Sequence, residues 1–146
     1  EVAVHIIRKH RLWEVWLVNQ LNFKWDEVHD IAEQLEHVTS DELIERLNTY
    51  LGSPKIDPHG DPIPDAKGRF PKHINKPLIQ CKKGSLVKFV GVTEHSSSFL
   101  QYLGKINLQL GDEIKIESIE AFDSSFYIKI NNKQFHGSNL LKTSII

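Results

Sequence analysis

All six prolines of this 146-residue chain fall between Pro54 and Pro77, and no other feature limits its folding as strongly. Proline supplies no backbone donor and breaks helix interiors and central strands. The run "GSPKIDPHGDPIPDAKGRFPKHINKP" is therefore no regular element, and it is long for a connection inside one domain. It separates a helical part from a β-rich part. The expected class is α+β, with a helical domain over residues 1–64, a Pro-containing linker over 65–77 and a β-rich domain over 78–146.

Before the prolines, the apolar residues Val2, Ile6, Ile7, Leu12, Trp13, Val15, Trp16, Leu17, Val18 and Leu21 recur at helical spacing. The stripe is wide, so this helix needs two apolar partners, for example its own domain and another subunit. Residues 25–37 predict a second helix with Val28, Ala32 and Leu35 as its seam and Ile31 beside it. A third follows in "TSDELIERLNTYLG". Thr39 with Glu42 three residues later forms a capping box, Leu43, Ile44, Leu47 and Leu51 form the stripe, and Gly52 is the stop.

From Gly84 onward the period changes to two. "SLVKFVGV" and "DEIKIESI" predict strands, and "FYIKINNKQF" predicts a hairpin with Asn131 and Asn132 in its turn. "SSSFLQYLGKIN" predicts one short helix with Phe99, Leu100, Tyr102 and Leu103 inward. Short strands with one helical insertion fit a small SH3-like barrel.

A single cysteine, Cys81, excludes an internal disulfide framework and a thiolate-rich zinc site. That usage suits a reducing cytoplasm, and Cys81 itself reads as a small buried hydrophobe. A net charge of −1 gives no bulk basic field for nucleic acid. No apolar run approaches the ~18 residues of a membrane span. The chain opens without Met and already in a helical pattern, so we expect it to be part of a longer protein with a segment upstream.

The sharpest polar feature is "HDIAEQLEHV", residues 29–38. A helix advances about 100° per residue, so His29, Glu33, Glu36 and His37 fall within about a 100° arc. The first helix repeats the theme, with His10 and Glu14 at i and i+4. Imidazole with carboxylate and no thiolate suits Mn²⁺, Fe²⁺ or Zn²⁺, and the hard oxygens favour the first two. The same residues also read as an ordinary solvated helix face. His-Glu-x-x-His is absent, and Glu-x-x-His fails because Gln34 precedes His37 by three. No serine nucleophile set, phosphate loop or CxxC pair is present. The serines of "EHSSS" read as a polar helix start.

In order along the chain, "RKHRLWEVWLV", "DEVHDIAEQLEHVTSDELIERL" and "PHGDPIP" resemble the metal-binding and dimerisation domain of the diphtheria toxin repressor family. These are metal-activated transcriptional repressors. "KKGSLVKFVGV…FLQYLGKINLQLGDEIKI" resembles the family's SH3-like, FeoA-type domain. Nearly the whole chain is covered, and the family's N-terminal winged helix-turn-helix is missing.

The resemblance implies roles. Glu36 and His37 match the primary, activating metal site. Glu33 stands where the iron-responsive branch has cysteine and the manganese-responsive branch glutamate, so the manganese branch is implied. The other primary ligands would come from the missing DNA-binding domain. His10, Glu14 and His29 match the ancillary site, although in some manganese-responsive members the residue at His10 serves a two-metal cluster. The SH3-like domain would add Glu94, with His95 as the alternative. "PHGDPIP" implies a proline-stiffened loop in which His59 is structural. His5, His73 and His136 are expected to be exposed or packing residues.

The implied protein is a metal-dependent repressor, Mn²⁺ ahead of Fe²⁺, not an enzyme. It would be cytoplasmic and homodimeric, reaching operator DNA only through the missing domain and touching no membrane. Trp13 and Trp16 are candidates for the dimer interface or for the monomer core. Two other classes compete. A metal-dependent enzyme on the bundle would need an open coordination position and a substrate pocket. An SH3-like peptide-binding module would need an exposed aromatic groove.

Overall fold

The computed structural model describes residues 2–72, 75–122, 125–137 and 141–145; His73 lies outside them. The chain divides into two compact units at residues 73/74.

In the first unit, helix α1 runs Val2–Leu21, α2 His29–Val38 and α3 Asp41–Tyr50. The wide stripe of α1 finds both of its partners inside this unit. Leu12 and Val15 pack with Ile44, Leu47 and Ile63, whereas Leu17 packs with Val28 and Ala32. Trp13 and Trp16 touch both clusters, edge-to-face at 5.6 Å. The second partner, for which another subunit is one example, is supplied here by a second cluster of the same unit, and Val2 and Leu21 of the stripe are exposed.

Two helix starts differ from expectation. Helix α2 begins at His29 rather than residue 25, because residues 25–27 form a turn, with Glu27 N donating to the Lys24 carbonyl at 2.9 Å. Helix α3 is capped by Ser40, not Thr39: the Ser40 hydroxyl accepts from Leu43 N at 3.1 Å. Thr39 is buried and otherwise engaged. Its hydroxyl donates to the Leu35 carbonyl at 2.5 Å and accepts from Trp13 Nε1 at 2.7 Å. Gly52, at φ +79°, ends α3 as expected. Its N–H bonds the Thr49 carbonyl, and Ser53 N reaches the Asn48 carbonyl, which is a Schellman motif.

The loop after α3 packs into this unit. Asp57, His59, Gly60 and Asp61 are buried, and Ile56 bridges to Pro62. Asp57 Oδ1 accepts from the backbone N–H groups of His59 and Asp61, both at 2.9 Å, so one carboxylate oxygen closes the turn. Residues 65–69 make a similar turn around Asp65.

The second unit is a six-stranded antiparallel sheet in the order β1-β6-β2-β3-β4-β5. Its strands are β1 Lys76–Pro77, β2 Leu86–Val92, β3 Glu113–Ile119, β4 Phe126–Ile130, β5 Lys133–Gly137 and β6 Leu141–Ile145. Alternation buries Val87 and Phe89, Ile114 and Ile116, and Phe126, Ile128 and Ile130. Asn131 and Asn132 both have positive φ, at 51° and 66°, as a two-residue hairpin turn requires. Helix α4, Ser97–Lys105, buries Leu100 and Leu103. Tyr102, expected inward, is exposed, because it lies on the side of α4 away from those leucines. Cys81 is buried.

Candidate metal centre

The turn between α1 and α2 brings the two helices side by side, so that His10 and Glu14 on α1 face His29 and Glu36 on α2. His10 Nε2 lies 3.4 Å from Glu14 Oε2, and its Nδ1 lies 3.4 Å from Glu36 Oε1. The rings of His10 and His29 are 5.0 Å apart. One ligand atom each from His10, Glu14 and His29 lies within 4.8 Å of the others. Donors held about 2.1 Å from one ion stand roughly 3.0–3.4 Å apart at tetrahedral to octahedral angles. His10 and Glu14 already stand 3.4 Å apart, and the set as a whole, spread over up to 4.8 Å, closes onto an ion by drawing its donors inward. Two imidazoles and a carboxylate form a donor set for Mn²⁺, Fe²⁺ or Zn²⁺, so these residues fit a divalent cation.

The other expected ligands are placed less uniformly. Glu36 is buried against His10, whereas Glu33 and His37 are exposed. His29 Nε2 stands 3.9 Å from Glu33 Oε2, and His29, Asp30 and Glu33 make a second converging set that is wholly exposed. Among the described residues, Glu33, Glu36 and His37 form no converging set of their own. The four residues of the α2 face therefore differ in surroundings, and only part of that face turns toward α1. Glu94 and His95 are exposed between β2 and α4 in the second unit. His5 and His136 are exposed, the latter 5.3 Å from the Tyr127 ring.

The sequence reading missed what stands behind Glu14. His59 and Asp57 are buried beside it, and the three form a third converging set. His59 Nδ1 lies 3.7 Å from Glu14 Oε2 and 3.9 Å from Asp57 Oδ2. Its Nε2 donates to the Trp25 carbonyl at 2.6 Å, and its ring stacks on Trp25 at 6.1 Å with 13° between planes. The only signal for this in the sequence is Asp-x-His-x-Asp inside the proline loop.

The charges follow from these contacts. Burial opposes the positive form of His59. The facing Asp57 carboxylate, the charge of Glu14 and the Trp25 carbonyl outweigh it and hold the imidazole up at about 9. His10 is likewise raised: burial lowers it, but Glu14 and then Glu36 more than compensate. Burial raises the Glu14 carboxyl above its ordinary range. The hydrogen bond from His10 pulls it back, Asp57 pushes it up again, and His59 opposes that push.

Residues 1–65 match the family model described as "Iron dependent repressor, metal binding and dimerisation domain", and residues 76–136 match the FeoA domain. A "Probable metal transport system membrane protein" of Chlamydia trachomatis is 50% identical over 62 residues, covering 42% of this chain and 14% of that one. The diphtheria toxin repressor of Corynebacterium glutamicum is 30% identical over 125 residues, covering 79% of this chain and 55% of the relative. A solved manganese-dependent transcriptional repressor in complex with manganese superimposes with a TM-score of 0.89 at 32% identity, covering 99% of this chain and 71% of that one. The chain thus spans about half or less of these two curated relatives. No described helix is long and apolar enough to cross a membrane.

Proposed function

The chain belongs to the iron-dependent repressor family, and from that premise we propose that it is the metal-sensing and dimerising portion of a metal-activated transcriptional repressor. The observation that carries this reading is the meeting of His10, Glu14 and His29 from two helices, with one ligand atom of each within 4.8 Å of the others. Mn²⁺ is the favoured ion and Fe²⁺ the next, because carboxylate and imidazole donors are present and thiolate is not. Glu33, Glu36 and His37 would serve the activating site together with residues from another part of the protein. The role is regulation rather than catalysis.

Ligands divided among domains turn metal binding into a population shift, since the ion binds better to the arrangement that brings all its donors together. A homodimer would then set the spacing of two DNA half-sites. The likeness to a metal transport membrane protein favours a second setting, the same sensing domain joined to a transporter.

The test is calorimetric titration of Mn²⁺, Fe²⁺ and Zn²⁺ into the chain and its His29→Ala variant, with mass measured by light scattering. We expect wild type to bind Mn²⁺ as a dimer and His29→Ala to lose that binding. Equal binding by both would remove the basis of the reading. A gel shift with the complete protein, with and without Mn²⁺, separates the repressor setting from the transporter one.

A further inference from the structure

We propose that Asp57 and His59 are positioning residues: anchored at Trp25, they hold Glu14 in the orientation from which it can bind metal. The inference rests on the metal-site reading above and adds to it two residues from a loop more than forty positions away in sequence.

The geometry forms a chain of fixed contacts. The same oxygen of Glu14, Oε2, faces His10 Nε2 at 3.4 Å on one side and His59 Nδ1 at 3.7 Å on the other. The Glu14 side chain is 3% exposed, so water contributes little to fixing its rotamer. His59 is fixed in turn by its Nε2 bond to the Trp25 carbonyl and by its stack on the Trp25 ring. Asp57 Oδ2 faces His59 Nδ1, while Asp57 Oδ1 is held by two backbone N–H groups. His59 and Asp57 are thus each tied to backbone or to a packed ring. Metal-binding carboxylates commonly depend on such outer partners, whose loss typically costs 10–100-fold in affinity.

Charge fits the same role. Two buried carboxylates, Glu14 and Asp57, would repel each other without a cation between them, and His59 stands at that position. Arg11 Nε lies 4.0 Å from Asp57 Oδ2 and its guanidinium also donates to the Pro62 carbonyl, so the far side of Asp57 already faces a positive group. A metal ion at Asp57 would meet that guanidinium. The geometry therefore favours His59 as a partner of Glu14 over His59 as a ligand.

The experiment titrates Mn²⁺, and Co²⁺ as a visible-spectrum probe, into wild type, His59→Gln, Asp57→Asn and His29→Ala. Asp57→Asn keeps the oxygen that closes the turn and replaces Oδ2, which faces His59, by an amide donor, which guards against simple misfolding. We expect both loop variants to keep their helical circular dichroism, bind Mn²⁺ about 10–100-fold more weakly, and shift the Co²⁺ d–d bands. Wild-type affinity and bands in His59→Gln and Asp57→Asn, with only a lowered melting temperature, would overturn the positioning role. So would one Co²⁺ per chain that persists in His29→Ala and disappears in His59→Gln, because the ion would then sit on His59. Mn²⁺ binding unchanged in His29→Ala would instead sink the underlying metal site. In the metal-free protein, the His59 Nδ1–H proton resonance should be observable and should move on Asp57→Asn; no movement would count against the contact.

Discussion

His10 Nδ1 lies 3.4 Å from Glu36 Oε1, so an imidazole on α1 touches a carboxylate on α2 while its other nitrogen meets Glu14 at the same distance. In the proposed function Glu14 and Glu36 belong to different metal sites, and His10 is the side chain in contact with both. His10→Ala should therefore weaken Mn²⁺ binding by more than about tenfold, the lower bound for losing even an outer partner. Calorimetry on the purified variant checks this.

Acidity should act oppositely on the metal-bound and metal-free protein. A ligating imidazole must be neutral. His10 is held above its ordinary value by Glu14 and Glu36, so metal affinity should already fall while pH is still above 6.5. For the metal-free protein, His59 has a folded value of about 9 against 6.5 unfolded. A raised imidazole contributes its full stability below the unfolded value and loses it as pH rises through the folded one. The metal-free melting temperature should thus decline between pH 6.5 and 9, and His59→Gln should flatten that decline. Thermal melts followed by circular dichroism at fixed ionic strength provide the measurement.

Metal preference should respond to Glu33. It is exposed and 3.9 Å from His29, so replacing it leaves the packing of α2 intact. In the complete protein, Glu33→Cys exchanges a hard oxygen for a soft sulfur and should move selectivity from Mn²⁺ toward Zn²⁺ and Fe²⁺. Glu33→Ala should matter little to this chain alone and much more in the complete protein. Competition titrations with a chromogenic chelator would show both effects.

Thr39 and Ser40 make a matched pair for stability. Thr39→Val removes the acceptor of the Trp13 N–H and should cost about 1–3 kcal/mol, the usual penalty for leaving a buried donor unpaired. Ser40→Ala removes the α3 cap and should cost about 1 kcal/mol. Urea unfolding of both variants, compared with wild type, tests the order as well as the sizes.

The sequence is most legible where structure is set by local period. Helix α1, the strands holding Ile114 and Ile116, the Asn131–Asn132 turn and the Gly52 stop all follow from spacing or from positive φ. Legibility fails where two neighbours offer the same chemistry. Thr39 and Ser40 both bear hydroxyls, and only the demand of Trp13 for an acceptor takes Thr39 away from capping. It fails again where burial depends on a distant partner. The angular arc of α2 groups His29, Glu33, Glu36 and His37, but only the approach of α1 decides that Glu36 is buried and His37 is not. His10 and Glu14 are legible as a pair through their i,i+4 spacing. His59 is not, because its contacts to Glu14 and Trp25 exist only once the proline loop has folded back.

The stacking of His59 on the Trp25 ring gives the molecule a natural optical gauge. Indole fluorescence is sensitive to a cation lying across its face, so light emitted by Trp25 depends on the electrical state of the loop beneath it. Two other indoles, Trp13 and Trp16, are half-buried against the apolar clusters, away from that stack. A dye-free instrument for watching the loop is thus already built into the chain.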